Sequence, residues 1–188
     1  MRGPLILASA SPRRLDLLRQ VGLEPAAIDP ADIDETARPA EPPRAYALRM
    51  AEAKLAAVAP RHPGATVLAA DSVVALGRRI LPKAESEAEA RRCLALLSGR
   101  RHRVLGGLAV AVDGGKVRTR LVESVVRFKR LTAADIDAYI QSGEWKGKAG
   151  GYAIQGRAAE FVAFISGSYS NVVGLPLFET VALLKAVS

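Results

Sequence analysis

The chain has little of what several functional classes require. It contains one cysteine, Cys93, which excludes an internal disulfide. Because Cys93 lies within a helical pattern of leucines, we expect a buried small hydrophobic side chain rather than a nucleophile. Aromatic residues make up 5% of the chain, which gives poor support to a base-stacking platform for single strands. Apolar runs are far too short to cross a membrane, and residues 1–11 favour a strand over a signal peptide. We therefore expect a cytoplasmic protein without a membrane partner.

The basic excess of the chain is large but dispersed. The 188 residues carry a formal net charge of +8. They contain no long basic run, no interleaved aromatic series and no zinc-finger or RNA-recognition signature, so the sequence does not favour a nucleic-acid partner. An anionic small-molecule substrate accounts for the charge as well as a nucleic acid would. A solvated basic surface also accounts for much of it.

The order of predicted elements is mixed α/β, in one domain spanning residues 1–188. Strands are predicted at 5–8, 66–74, a short return strand ending near 81, 102–112, 116–129 and 161–165, and helices at 12–21, 42–59, 85–97, 132–141 and 176–187. Asp113-Gly114-Gly115 is a strong hairpin signal between the two long strands. Residues 29–38 and most of 143–156 are expected to be loops, and 167–170 a turn.

The hexapeptide Ser9-Ala10-Ser11-Pro12-Arg13-Arg14 follows the apolar run at 5–8. Ser11 is a suitable N-cap and Pro12 a suitable first helical residue. A helix N-terminus attracts anions, and arginine can bind phosphate with two parallel hydrogen bonds. The pattern indicates a polyphosphate site, although a capped surface helix with two solvated arginines fits these six residues equally well.

A second candidate site residue is Asp71, which follows the apolar run 67–70. We interpret it as an acid emerging where a buried strand ends, the usual place for ligands in open α/β sheets. An aspartate that merely forms a turn is the commoner case for an isolated residue. Here Asp34 and Glu35 add carboxylates, and Lys83 and Lys148 add cations. Such a set suits a hard divalent cation together with phosphate groups.

Five blocks of sequence carry a family resemblance. They are 9–14 with Leu17-Leu18; 70–74; 96–99 with His102 and Val104; 147–156; and 167–177. Together, and in this order, they resemble the Maf-like nucleotide pyrophosphatases over nearly the whole chain. The resemblance implies hydrolysis of a nucleoside triphosphate between its α and β phosphates, with a divalent metal (Mg²⁺ or Mn²⁺) as cofactor. The role it implies is the clearance of non-standard nucleotides from the pool.

The same resemblance implies a structure and a set of site residues. The fold is a mixed twisted sheet with flanking helices and two lobes around a central cleft, similar to inosine triphosphatase and often a homodimer. Asp71 corresponds to the proton acceptor and a metal ligand, Glu35 to a metal or catalytic carboxylate, and Lys83 to a catalytic cation near the phosphates. The expected substrate contacts are Ser9, Arg13, Arg14, Lys54 and Lys148.

Base preference follows from three positions in the family. The dTTP/UTP branch carries Arg, Thr and Gln there, whereas the 7-methyl-GTP branch tends to carry Trp, Gln and Glu. This chain has Arg13, Ser72 and Gln155, so it resembles the pyrimidine branch. A neutral amide both donates and accepts hydrogen bonds, whereas a carboxylate only accepts them. Ser72 in place of Thr, and Gly106-Gly107 where a Thr is frequent, lead us to expect a looser cleft with broader substrate choice.

Two other functions stay open at this point. One is a nucleotide- or nucleic-acid-binding regulator of cell division (septum formation) that performs no turnover. The other is a pyrophosphatase for non-standard purine nucleotides, which would share the catalytic residues and differ in the base pocket. Steep salt dependence of DNA binding without metal-dependent turnover would favour the regulator.

Overall fold

The computed structural model describes residues 3–113 and 115–187. In chain order its strands are β1 (Leu5–Ala8), β2 (Ala27–Ile28), β3 (Thr66–Leu76), β4 (Arg79–Leu81), β5 (Lys83–Ala84), β6 (Arg101–Val112), β7 (Arg118–Phe128), β8 (Lys148–Ala149) and β9 (Val162–Ser166). Its helices are α1 (Pro12–Gln20), α2 (Pro43–Val58), α3 (Glu87–Leu97), α4 (Ala133–Ser142), α5 (Tyr169–Val173) and α6 (Leu177–Ala186), with 3₁₀ turns at Ala59–Arg61 and Arg157–Phe161. The predicted mixed α/β class is confirmed.

The main sheet is mixed and has the order β2-β1-β3-β6-β7-β9, with β4 also paired to β3. Strands β2, β1 and β3 run parallel, and the remaining pairs are antiparallel. A separate small sheet pairs β5 with β8. Strand β2 and this two-residue pairing were not predicted, because segments this short carry no readable alternation.

Strand β3 has an unpaired stretch along one of its two edges. On one side, β6 pairs with residues 66–75 of β3. On the other side, β1 pairs with residues 66–69 and β4 with residues 74–76. Residues 70–73 therefore have a strand neighbour on one side only. We call this stretch the β3 window.

The core lies on both faces of the main sheet. Helix α2 packs Ala51, Leu55 and Val58 against one face, and the larger cluster on the other face includes leucines of α1, α3 and α6. Cys93 belongs to this second cluster and is buried, as predicted. Among the described residues, no helix is both long enough and apolar enough to span a membrane.

The predicted helices and long strands are confirmed with small shifts at their ends. The hairpin between β6 and β7 is also confirmed, with Asp113 at φ +48°, although Gly114 lies outside the described residues. The turn predicted at 167–170 is wrong, because Ser168 caps the short helix α5 by accepting a hydrogen bond from the Asn171 amide.

The glycine pair of β6 is a site of close packing rather than of loosening. A Cβ atom on Gly107 would lie 2.1 Å from the carbonyl oxygen of Ala47 in α2. A Cβ on Gly106 would lie 2.0 Å from Oδ1 of Asn171. Real side chains do not approach so closely, so both neighbours depend on glycine here.

Candidate active site

The junction between β1 and α1 forms one wall of a cavity. Helix α1 begins at Pro12, and no acidic residue lies in its first turn to offset the positive end of the helix dipole. Ser11 occupies the N-cap position, but its side chain makes no capping hydrogen bond. Instead, the Ser11 amide donates to Oγ of Ser9, at 3.2 Å. The predicted helix start is therefore confirmed, but the side-chain cap expected from Ser11 is not formed.

The Arg14 guanidinium is buried and held at three of its nitrogens. Nε donates to the carbonyl of Gly174 at 2.9 Å, Nη1 to Oγ of Ser9 at 2.8 Å, and Nη2 to Oγ of Ser72 at 3.2 Å. Burial lowers the pKa of Arg14, an effect that the nearby Asp71 carboxylate opposes. The solvated surface arginine that the sequence left open is thus excluded for this residue.

Arg13 and Lys148 add further positive charge at the same wall. Nε of Arg13 donates to the carbonyl of Val173 at 3.2 Å, and burial lowers the pKa of its guanidinium. Burial also lowers the pKa of Lys148, and the charge of Arg13 lowers it further. An anionic ligand would stabilise these partly desolvated cations, because its negative charge offsets their mutual repulsion.

Asp71 does not stand at the end of its strand, which corrects the sequence-based interpretation. Strand β3 continues to Leu76, because its pairing with β6 is uninterrupted past Asp71. The strand that ends nearby is the parallel neighbour β1, whose last pair is Ala8 with Ala69. Asp71 therefore lies in the β3 window, and the residue is only 5% exposed. The rule that ligands bind beyond strand ends applies here to β1.

A chain of ion pairs connects the predicted carboxylates and lysines. Nζ of Lys54, a buried residue of α2, lies 2.6 Å from Oδ1 of Asp71 and 2.8 Å from Oε1 of Glu35. The other oxygen of Glu35 pairs with Nζ of Lys83. Burial would raise the pKa of Glu35, but hydrogen bonds from the two lysines outweigh it and lower that pKa. We call Asp71, Lys54, Glu35 and Lys83 the ion-pair cluster.

Two packing features hold this cluster in place. The hydroxyl of Tyr46 donates to the backbone carbonyl of Glu35 at 2.6 Å and thereby fixes the loop that carries the carboxylate. Lys83 lies in β5, which pairs with β8, so Lys83 and Lys148 come from adjacent strands of the small sheet. Two short strands thus deliver one cation each to the cavity.

The cavity has a volume of about 370 Å³, within the range of roughly 300–1,000 Å³ that is usual for small-molecule sites. Basic side chains outnumber acidic ones in its lining by four. The charged lining residues are Arg13, Arg14, Lys54, Lys83, Lys146, Lys148, Glu35 and Asp71. Ser9 and Ser72 also line it. Lys146 was missed, and its neighbourhood to Gly147 and Lys148 is the signal that would have found it.

Gln155 lies apart from this cavity but not far from it. It lines a smaller space of about 40 Å³ whose walls include Arg13, Ser72, Lys148 and Tyr152. The three positions expected to set base preference therefore meet at one place. Because Arg13, Ser72 and Lys148 line both spaces, the small cavity adjoins the large one.

The carboxylates present could hold a metal ion only with help from a ligand. Within residues 3–113 and 115–187, no group of three or more His, Cys, Asp and Glu side chains is placed to hold one. Asp71 and Glu35 supply hard oxygen donors, and Lys54 now bridges them. Mg²⁺ commonly binds through one or two carboxylates plus substrate phosphates, so this donor set fits a cation shared with a phosphate ligand.

The fold and the cavity define an α/β protein with a cationic ligand cleft built beside a buried carboxylate. Comparison with known proteins gives the family. The chain belongs to the Maf-like protein family, whose model matches residues 4–187.

Curated relatives resemble the chain over nearly its whole length. A protein of Rhodospirillum rubrum named dTTP/UTP pyrophosphatase is 65% identical over 182 residues, covering 97% of this chain and 87% of its own. A protein of the same name from Paramagnetospirillum magneticum is 64% identical over 180 residues, covering 96% of this chain and 95% of its own. A third, from Caulobacter vibrioides, is 60% identical over 186 residues, covering 98% and 96%.

Solved structures give weaker matches. A HAM1 protein of Coxiella burnetii aligns with a TM-score of 0.48 at 18% identity, covering 97% of this chain and 98% of its own. A nucleoside-triphosphatase, dITP/XTP pyrophosphatase, of Mycobacterium abscessus aligns with a TM-score of 0.43 at 17% identity, covering 69% and 74%. The fold is therefore assigned from the chain's own topology and from its family.

Proposed function

We propose that the protein hydrolyses nucleoside triphosphates at the bond between the α and β phosphates, with dTTP and UTP as preferred substrates. The observation that carries the proposal is the cationic cavity, part of whose lining is the ion-pair cluster. A polyanion would balance the surplus positive charge of the cavity. The buried Asp71 carboxylate lines the same cavity and can accept a proton there. The names of the curated relatives support the reaction and the two pyrimidine substrates.

The cations divide into two groups in this mechanism. Arg13 and Arg14 bind phosphate oxygens from the wall that the α1 N-terminus forms. Lys83 and Lys148 approach from the small sheet, on β5 and β8. Nε of both arginines, and also Nη1 and Nη2 of Arg14, already donate hydrogen bonds to the protein, so the orientation of each guanidinium is set before a phosphate binds.

Asp71 is the proton acceptor for the attacking water. Its burial excludes bulk solvent, and the ammonium of Lys54 lies 2.6 Å from its Oδ1. Glu35 holds Lys54 from its other side and so keeps the ammonium beside Asp71. General-base assistance of this kind is typically worth about 10²–10⁴-fold in rate.

A divalent cation, Mg²⁺ or Mn²⁺, completes the proposed site. When bound, it would polarise the phosphoryl oxygens and stabilise the charge that develops on them. Asp71 and Glu35 are the residues that would hold it, together with the phosphates of the substrate. Lys54 would then have to exchange at least part of its contact with one carboxylate.

Base preference is assigned to the small cavity beside the phosphate wall. Gln155 presents an amide there, which can donate to and accept from the edge of a pyrimidine base. Arg13 and Ser72 line the same space and also reach the phosphate wall.

The test is pyrophosphate release from a panel of dTTP, UTP, CTP, dGTP, ITP and 7-methyl-GTP, with and without Mg²⁺. We expect metal-dependent release led by dTTP and UTP. Asp71→Asn should fold and lose at least about 10²-fold in rate. Glu52→Gln, which removes an exposed carboxylate from the same helix as Lys54, is the matched control and should retain activity.

The panel also separates the alternative functions. Release led by a purine would keep the reaction and discard the base assignment. Binding without release from any nucleotide would favour a regulator. Homodimer formation and a cytoplasmic location belong to the proposal as well, and sedimentation of the purified protein and cell fractionation test them.

A further inference from the structure

The two phosphate-wall arginines hydrogen-bond to the same short segment of the chain. Nε of Arg13 donates to the carbonyl of Val173, and Nε of Arg14 to the carbonyl of Gly174. These carbonyls belong to the C-terminal end of α5 and the residue after it. We call residues 168–174 the arginine bracket. A helix C-terminus favours cations, so this contact is also electrostatically favourable.

The bracket cannot hold its shape without help from the rest of the fold. Helix α5 spans only five residues, and isolated helices this short are unstable in water. Its geometry must therefore come from tertiary contacts. Ser168 supplies one at the N-terminal end, where its amide and carbonyl both hydrogen-bond to Oγ of Ser124 in β7.

Asn171 supplies the central contact of the bracket. It is completely buried, and its Nδ2 donates at 3.1 Å to the carbonyl of Val104 in β6 and at 3.1 Å to Oγ of Ser124. One side-chain amide thus ties α5 to two strands of the main sheet. Gly106 leaves the room it needs, since a Cβ there would lie 2.0 Å from Oδ1 of Asn171.

Ser72 joins the same network from the floor of the cleft. Its hydroxyl lies 3.3 Å from the carbonyl of Gly174 and accepts from Nη2 of Arg14 at 3.2 Å. The Arg14 guanidinium is therefore oriented by the bracket on one side and by β3 on the other. A shift of α5 would change the direction in which both arginines point.

We infer that Asn171 is a positioning residue for anion binding. It lines neither the large nor the small cavity, and acts by fixing the Val173 and Gly174 carbonyls that orient Arg13 and Arg14. The inference rests on the proposed function, because it assigns phosphate binding to these arginines. The short helix α5, whose first residues the sequence indicated as a turn, therefore serves to orient the two arginines of the site.

The test compares binding and turnover in Asn171→Ala. We expect the dissociation constant for inorganic pyrophosphate, measured by titration calorimetry, to rise about tenfold, the change that about 1.4 kcal/mol produces. The KM for dTTP should rise more than kcat falls. Leu183→Ala, which removes a buried side chain of α6 outside the cavity lining, is the control for lost stability. It should lower the unfolding midpoint and leave pyrophosphate affinity unchanged.

A second variant covers the case in which Asn171→Ala does not fold. Gly106→Ala keeps every polar group and displaces the Asn171 side chain, so it should weaken pyrophosphate binding in the same direction. Unchanged affinity in a folded Asn171→Ala or Gly106→Ala protein would overturn the inference, as would the absence of pyrophosphate binding by the wild type. Wild-type protein that binds pyrophosphate but hydrolyses no triphosphate, with weaker binding in the variants, would defeat the proposed function alone.

Discussion

Replacing Lys54 with methionine tests most directly how much the ion-pair cluster contributes to stability. Methionine keeps an unbranched stem of similar length and removes the ammonium. Asp71 is 5% exposed and Lys54 is 7% exposed, and their charged atoms lie 2.6 Å apart. The variant therefore leaves a buried carboxylate without the cation that it contacts.

The magnitude follows from the cost of an uncompensated buried charge. Removing one member of a buried ion pair typically costs about 3–5 kcal/mol. In a chain of this size, about 1 kcal/mol shifts the unfolding midpoint by roughly 2–4 °C. We expect Lys54→Met to lower the midpoint by about 6–20 °C at neutral pH, measured by calorimetry and by urea unfolding.

Two further proteins decide the interpretation. Adding Asp71→Asn to Lys54→Met removes the unpaired charge, so the double variant should be more stable than Lys54→Met alone. Arg91→Met removes an exposed cation from its pairs with Glu87 and Asp137 and should change the midpoint little. A Lys54→Met protein as stable as the Arg91→Met protein, or no recovery in the double variant, would refute the reasoning.

Three other predictions concern the surroundings of the cleft. Burial lowers the pKa of His102 from 6.5 to about 4. Between pH 6.5 and pH 4, His102 is therefore protonated in the unfolded chain and neutral in the folded chain. Stability should fall by up to about 3 kcal/mol as the pH drops from 6.5 to 4, and urea unfolding of His102→Gln should show a smaller loss. Gly107→Ala should cost about 1–3 kcal/mol, because its Cβ meets the Ala47 carbonyl, and an unchanged urea midpoint would contradict that contact. Gln155→Glu should lower kcat/KM for dTTP relative to dGTP without lowering the unfolding midpoint, and an unchanged ratio would remove Gln155 from base selection.

Local chemistry made most elements of the fold predictable. Proline at the first turn of α1, the serine and glycine that follow α3, and the glycines of the β6–β7 hairpin are strong signals at short range. The elements that escaped prediction, β2, β5, β8 and α5, span five residues or fewer. Elements of this size are formed by tertiary contacts, as the anchoring of α5 by Asn171 illustrates.

The candidate site could be predicted in membership but not in arrangement. Charged residue types and family motifs indicate that Asp71, Glu35 and the lysines belong to one site. They did not indicate that Lys54 bridges both carboxylates, because Lys54 and Asp71 lie 17 residues apart on different elements and only the packing of α2 on β3 brings them into contact. Nor do they indicate the hydrogen bond from Arg14 to Ser72, because the family motif relates Ser72 to base preference alone.

The β3 window makes strand length a determinant of the site. Asp71 and Ser72 line the cavity beside a stretch of β3 that has no strand on that edge, because β1 stops at its pair with Ala69 and β4 starts at its pair with Val74. If β1 were extended by a few residues, its backbone would pair with the window and fill the entrance, while every charged side chain stayed in the sequence. A relative that kept all the motifs but lengthened this strand would keep the residues and lose the opening. The count of residues between the apolar run 5–8 and Pro12 is therefore as much a part of the site as the side chains are.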